Sequence, residues 1–541
     1  MTDIEIPLQS EKTRSYRFFE MLPGIISWTV IFMPIILALI NPTLAAYFVI
    51  AFMVIWLIKA ISMSIRVTQG YNRLKVAISI DWNARLNDLK DIDNSLAHYK
   101  KHGVKDKSDA KHYALLCEYA AQGDDEHIDV NNIFQVVIIA AYNESIDVIE
   151  PTVRSVLNSN YDLKHIILVF AYEQRGGEDI KKTVNELVKR YGDKFKHTVA
   201  IMHPKDLPNE VIGKGGNITY AGRDVAKYVE QQGLNPNDVI VTTLDSDNRP
   251  HPQYLAHLSY MYAVNAQRKY KSFQPIPMFM NNIWDVPAPM RVLATGNSFW
   301  NLIVSTRPHL MRNFAAHAQG LQTLIDTNFW SVRTIVEDGH QFWRTYFTYD
   351  GKHDVVPLYV PVYQDAVLDV TYTKTLKAQF VQLRRWAWGA SDIAYLASKG
   401  FFTKNKINKT DLSFKLARLF EAHVSWATVP LILAFAAWIP IVLSPSGQDS
   451  IIAHQLPTIA SRLNTFIAAG ILLTVFLSMK VLPPKPPRYK AHKRVFMVLQ
   501  WLILPVSSII YGSFTALYSQ TRLMIGKYLD KFDVTAKVVK K

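Results

Sequence analysis

The sequence predicts an α/β domain with a mostly parallel sheet, carried between two groups of α-helical membrane spans. Three observations lead there. Five stretches of about 17–27 residues hold no Asp, Glu, Lys or Arg, apart from an occasional one at a boundary, and each is long enough to cross about 30 Å of hydrocarbon. About 350 residues between the two apolar groups are charged and patterned like a globular protein. Within them, apolar β-branched runs alternate with helical periodicity, the pattern of a parallel sheet covered on both faces. The mean hydropathy of +0.03 over 541 residues is therefore an average of two unlike parts, which excludes both a purely soluble enzyme and a pure transporter.

The first 20 residues carry Asp3, Glu5, Glu11, Lys12, Arg14 and Arg17 ahead of the first apolar run. That run continues past signal-peptide length without a clear small-residue cleavage site, so no cleavable leader is expected. No charge occurs over 21–58, and Asn41-Pro42 divides this run into two antiparallel spans, because proline lacks an amide donor and disfavours helix at the residue before it. Helices are predicted at about 23–40 and 44–65, and further spans at about 422–444, 463–482 and 495–519. Residues 1–66 thus form an N-terminal segment with two spans. The region 67–130 reads as juxtamembrane helix, with Trp82, Leu86, Leu89 and Leu96 as a packing stripe, and ends near the polar Gly123-Asp124-Asp125-Glu126. Residues 131–410 form the soluble α/β domain, and 411–541 the last spans and a basic tail.

Lys and Arg set the orientation. The turn at 41–43 and the loop at 445–461 have none, the N-terminal segment has three and the loop at 480–494 has six. These counts place the N-terminus and the middle domain inside, on the cytoplasmic face. A single crossing of the fifth span would put the six Lys and Arg of 522–541 outside, and Pro505 and Gly512 offer places where that segment can bend instead. The net charge of +15 concentrates beside the apolar segments, where anionic lipid attracts it, so no nucleic-acid partner is expected. A single cysteine, Cys117, excludes an intramolecular disulfide framework and suits a reducing compartment.

Strands are predicted at 134–140, 165–171, 197–202 and 238–244, with helices at 146–158, 178–191 and 215–231 between them. Ligands in such folds bind beyond the carboxyl ends of the strands. After the first strand stands Ala141-Tyr142-Asn143-Glu144-Ser145, and after the fourth Leu244-Asp245-Ser246-Asp247-Asn248. Surface turns often produce Asp-x-Asp, but beyond a buried strand the two carboxylates can hold a hard divalent cation whose other ligands are phosphate oxygens. Gly213-Lys214-Gly215-Gly216-Asn217 opens a helix and reads either as a turn or as an anion site with close backbone approach, helix N-terminus and a lysine charge. It is neither a P-loop nor a dinucleotide fingerprint. Farther along, Glu337-Asp338-Gly339-His340 offers a carboxylate as general base for a hydroxyl, and Gln382-Leu383-Arg384-Arg385-Trp386 offers an arginine fork and an aromatic face for a sugar, although it equally suits an interfacial anchor. No second metal ligand stands at a helical or hairpin spacing from His340, which reads as structural.

Taken in order, these motifs over about 131–541 resemble membrane-integrated family 2 glycosyltransferases, the group that contains cellulose and hyaluronan synthases. Gln520-Thr521-Arg522 and Val534-Thr535-Ala536-Lys537 also look like the end of such proteins. The resemblance implies a nucleotide-diphosphate-sugar-binding, GT-A-like Rossmannoid domain and a divalent cation, Mg2+ or Mn2+, at Asp245 and Asp247. It implies Asp338 as base, Gln382, Arg385 and Trp386 along the diphosphate and acceptor site, and Ala141, Asn143, Glu144, Lys214 and Asp245 at the donor. One departure stands out. Members usually carry Asp-Asp-Gly-Ser after the second strand, whereas this chain has Phe170-Ala171-Tyr172-Glu173-Gln174-Arg175. Glu173 can take the place of the aspartate that contacts the base, accepting the imide hydrogen of uracil or guanine, and Tyr172 can stack on it. The implied activity is inverting sugar transfer from a nucleotide-diphosphate-sugar to a lipid-linked or growing glycan acceptor among membrane lipids. A membrane scaffold with a degenerate transferase domain is the alternative, and the altered second-strand end is its support.

Overall fold

The computed structural model describes residues 4–123, 126–443, 450–529, 531 and 537–538. Asp124 and Asp125 of the polar stretch, part of the loop at 445–461, and Val534-Thr535-Ala536 lie outside the described residues.

Two long helices, α1 (Arg14–Ile40) and α2 (Pro42–Ser79), meet at Asn41, whose side chain caps α2 by accepting from Thr43 and Leu44 amides. Both exceed the predicted spans. Thr13 caps α1 well ahead of Pro23, which the helix absorbs. α2 runs on through 66 because no breaker intervenes, and its mid-helix glycine serves packing: a Cβ at Gly70 would lie 2.5 Å from the Leu302 carbonyl. The rest of the juxtamembrane region is three helices, α3 (Trp82–Asp88), α4 (Ile92–His102) and α5 (Lys107–Ala120). Asp81, Asp91 and Asp106 each cap one of them, and these competing side-chain bonds divide what periodicity alone would join.

The α/β domain follows as β1 (Phe134–Ala141), α6 (Ile146–Leu157), β2 (Ile166–Glu173), α7 (Gly177–Tyr191), β3 (His197–His203), α8 (Lys214–Gln231) and β4 (Val239–Asp245). It continues as β5 (Arg249–Pro250), α9 (Tyr254–Val264), β6 (Lys271–Met278), α10 (Ala288–Ser305), β7 (Ala318–Gly320), α11 (Leu321–Asp326), α12 (Glu337–Thr348), β8 (Asp354–Tyr363), α13 (Tyr372–Ala387) and α14 (Asp392–Phe401). The eight strands form one sheet in the order β3-β2-β1-β4-β7-β6-β8-β5. The predicted strands pair in parallel as β3-β2-β1-β4, β6 and β8 are also parallel, and β7 joins the halves by antiparallel pairing to β4 and β6. Alternation within β1 and β2 builds two cores. Val137, Ile139, Leu168 and Phe170 face one side with α6, α7 and α9, and Val136, Ile138, Ile167 and Val169 face the other with α8.

The chain then returns to apolar helix: α15 (Lys409–Phe435), α16 (Ile439–Leu443), α17 (Ile451–Val481), α18 (Lys493–Leu499), α19 (Leu504–Ser507) and α20 (Phe514–Met524). By length and apolarity five segments are able to cross a membrane: Arg14–Ile40, Pro42–Ser79, Lys409–Leu443, Ile451–Val481 and Lys493–Met524. α17 starts earlier than predicted because Pro457, near its first two turns, is accommodated inside the helix. The fifth segment is irregular where Pro505 and Gly512 stand, passing through a 3₁₀ turn at Gln500–Ile503 and a π-helical turn at Ser508–Ser513. α1 packs on α20 and α15, and α2 packs on α17 and α10.

Candidate active site

The carboxyl ends of β1, β2 and β4 open onto a cavity of about 1290 Å³ that extends down to the apolar helices. β4 delivers Asp245 in register with Ala140 of β1, so its side chain emerges beside the segment that follows β1. Lys214 is the first residue of α8, and its Nζ lies 2.7 Å from Asp245 Oδ1 and 4.0 Å from Glu337 Oε1. The adjoining glycine serves the protein's own packing, since a Cβ at Gly215 would lie 2.3 Å from the Ser331 carbonyl. Burial works against charge on Asp245, but Lys214 and then Lys537 more than offset it and hold the carboxyl down to about 2. Lys214 is itself raised: burial opposes its charge and Asp245 and Glu337 restore it.

Asp247 is buried, accepts the Asp365 amide at 3.0 Å through Oδ2, and meets Lys537 Nζ at 2.8 Å through Oδ1. Lys537 also donates to Ser246 Oγ at 2.9 Å, and despite burial its ammonium is raised by Asp247, Glu144 and Asp245. Glu337 and Asp338 begin α12. Burial, then Asp338, pushes the Glu337 carboxyl up to about 7, with Lys214 pulling the other way. Burial likewise raises Asp338, whose Oδ1 accepts the Gly339 amide at 2.7 Å. Two adjacent carboxylates in one enclosed pocket resist joint ionisation and titrate as a pair.

Ala141, Glu144, Glu173, Lys214, Asp245, Asp247, Asp338, Gln382, Arg385 and Trp386 all line the cavity. Asn143 does not: it is exposed beyond β1. α13 supplies Gln382, which accepts from Gln379 at 3.1 Å, and Trp386, whose ring lies 6.0 Å from that of Phe279. Glu173 is held by Arg175 at 2.7 Å and by His203 Nδ1 at 3.2 Å, and His203 reaches Glu210 through Nε2 at 3.0 Å. Burial opposes the imidazolium, yet the two glutamates raise His203 to about 9. Tyr172 is placed otherwise than expected. It points from β2 into the hydrophobic core rather than the cavity, because strand alternation sends Glu173 the other way. His340 is structural, fully buried with Nδ1 2.8 Å from Asp392.

Four residues at the site escaped the sequence reading. Arg175 and His203 brace Glu173, and a strand-end reading of β3 would have flagged His203. Asp365 follows β8 and lines the cavity; burial and then Asp247 push it up to about 6. Lys537, in the family-like tail but given no role from the sequence, reaches Asp247 from 290 residues away.

A sheet covered on both faces thus presents lysine-paired carboxylates at its strand ends to a cavity floored by helices long and apolar enough to cross a membrane. Residues 240–480 match the family model described as glycosyl transferase family group 2. This match covers less than half of the chain, and it supports a glycosyltransferase. No curated protein matches the sequence. Among solved structures it is similar to a mannosyltransferase from Pyrobaculum calidifontis in complex with GDP-Man and Mn2+, at 13% identity and a TM-score of 0.38, over 80% of this chain and 99% of that one. It is also similar to S. aureus TarS 1–349 in complex with UDP-GlcNAc, at 11% identity and a TM-score of 0.35, over 63% of this chain and 91% of that one.

Proposed function

We propose that the protein is an inverting, metal-dependent glycosyltransferase that moves a sugar from a nucleotide-diphosphate-sugar to a lipid-linked or growing glycan acceptor at the cytoplasmic face of a membrane. The observation that carries this reading is the shared cavity, which brings Lys214, Asp245, Asp247, Asp338, Arg385 and Trp386 together beside helices able to cross a bilayer.

In this reading Asp338 takes the proton of an acceptor hydroxyl as that oxygen bonds to the anomeric carbon and the bond from that carbon to the diphosphate oxygen breaks on the opposite face. Its raised pKa makes it a stronger base than an exposed aspartate. Arg385 supplies a guanidinium for the diphosphate, and Trp386 a face on which the sugar ring can rest. Gln382 stands one helical turn before Trp386 on the acceptor side. Ala141, Glu144 and Glu173 border the nucleotide, with Asn143 at the rim.

Asp245 and Asp247 are the residues that would hold Mg2+ or Mn2+. Their donor set is all oxygen, which fits a hard cation. Among the described residues no group of three or more His, Cys, Asp and Glu converges, so diphosphate oxygens and water would complete the shell. When bound there, such an ion neutralises charge developing on the diphosphate. Lys214 holds the Asp245 carboxyl low, and Lys537 pairs with Asp247 at 2.8 Å.

The reading is tested by a donor screen on membranes containing the full chain, with mass analysis of lipid-soluble and polymeric products. One nucleotide-diphosphate-sugar should be consumed with transfer to one of these fractions. Failure to turn over any donor would favour a scaffolding protein with a degenerate transferase domain.

A further inference from the structure

The large cavity does not end at the carboxylates. Where it nears the apolar helices, Arg307 and His309 also line a second cavity of about 330 Å³, closed by Arg66, Phe414 and Arg418. Three guanidiniums from separate elements converge here: Arg66 from α2, Arg307 from the turn after α10, and Arg418 from α15. The carboxylate in contact with them is Glu421, 3.2 Å from Arg418 and shared with Lys59. Arg307 Nη2 and Arg66 Nε donate to Ser62 Oγ at 2.9 and 3.3 Å, and Arg66 Nη1 reaches Thr306 Oγ1 at 3.5 Å. Arg307 Nε is buried without a hydrogen-bond partner. Burial, then the like charges of Arg66 and Arg418, holds the Arg307 guanidinium below its ordinary range. Arg66 and Arg307, like charges met by hydroxyls rather than carboxylates, are costly neighbours unless an anion joins them.

Depth identifies the anion. The uncharged run of the first two spans ends at Ile58, and that of α15 begins after Glu421. Counted from Pro42, about 20 residues of α2 cross a 30 Å core, which leaves Arg66 about 6 Å beyond its edge, and Arg418 is within a turn of the other run. Trp56 and Trp426 line the adjoining large cavity, as aromatic residues do at a lipid–water boundary. Lipid phosphates lie at this level, and guanidinium forks match phosphate oxygens.

We propose that Arg66, Arg307 and Arg418 form a binding site for the phosphoryl headgroup of a membrane lipid at the mouth of the reaction cavity. The site rests on the placement of these helices in a bilayer and is independent of the donor chemistry. Because Arg307 lines both cavities, a lipid held by its phosphate borders the space in which transfer is proposed.

The test is native mass spectrometry of the full chain in detergent, doped with phosphatidic acid or with the matched diacylglycerol, and separately with inorganic phosphate. Wild type should retain phosphatidic acid at least about tenfold better than diacylglycerol. Arg307→Gln and Arg418→Gln should each erase most of that preference, and Arg307→Lys should restore part of it. Equal retention of the two lipids by wild type overturns the proposal without recourse to a variant. Inorganic phosphate that binds as tightly as phosphatidic acid would assign the site to a free anion and overturn its lipid character. Lipid discrimination without sugar turnover would refute the transferase mechanism alone, and turnover without discrimination would refute the lipid site alone.

Discussion

Glu337→Gln isolates the electrostatic cost of placing two neighbouring carboxylates at the start of α12. Glu337 is 4% exposed, and burial followed by Asp338 lifts its carboxyl to about 7, against an ordinary value of 4.5. The native state therefore keeps a proton that the unfolded chain releases across that interval. Stability from this group is undiminished below pH 4.5, falls as pH rises from 4.5 to about 7, and is lowest above that. At about 1.4 kcal/mol per pH unit the interval amounts to about 3 kcal/mol. The amide introduced by the substitution cannot ionise and stands in for the protonated carboxyl. The variant should thus gain about 3 kcal/mol on wild type between pH 4.5 and 8. The assay is unfolding followed by tryptophan fluorescence in detergent with divalent ions chelated, at several pH values across that range. Turnover by Glu337→Gln should survive, with an acid limb simpler than that of the coupled pair. Wild-type and variant stability curves separated by a constant offset at every pH would refute the reasoning.

The base assignment predicts that Asp338→Asn lowers turnover at least about a hundredfold while donor binding is kept; an active Asp338→Asn beside a silent Glu337→Gln would move the role to Glu337. Asp247→Asn should abolish turnover while expression and membrane insertion survive, and wild-type activity that persists after complete chelation would remove the ion from the mechanism. Glu173→Gln should weaken a uridine-diphosphate-sugar by roughly ten- to a hundredfold, the 1.5–3 kcal/mol of one charge-assisted hydrogen bond. A competition titration with uridine, guanosine and cytidine diphosphates reads this out, and affinities indifferent to the substitution would release Glu173 from the nucleotide site.

The first half of the sheet was legible because its strands are short apolar runs with helices between them, so that β1 to β4 and α6 to α8 stand within a residue or two of where periodicity puts them. The second half was not. Pro275 and Pro277 interrupt β6, Pro357 and Pro361 interrupt β8, and β7 is three residues long, so none presents the run of β-branched residues that marks a buried strand. The site divided in the same way. Asp245 ends β4 and Lys214 opens α8, so both could be read from position, and Asp338, in the first turn of α12, from the family resemblance. Lys537 stands in a tail whose likeness carries no role, and only the fold brings it to Asp247, while Arg175 acts on its near neighbour Glu173. The long apolar helices outrun the predicted spans, with Pro23 and Pro457 absorbed inside α1 and α17.

The unbroken course of α2 makes it a mast. Its 38 residues measure about 57 Å, of which a bilayer core takes about 30 Å. The remainder stands clear and is lashed to the α/β domain at Gly70 against Leu302 and at Arg73, whose Nη1 meets Tyr359 of β8 at 2.6 Å. With α2 across a bilayer, as proposed, the domain would ride at a set height and heading above the lipid. One residue removed from the exposed part of the mast would swing those lashings by about 100° around its axis, whereas seven added would return them almost to their bearing and hoist the domain by about 10 Å.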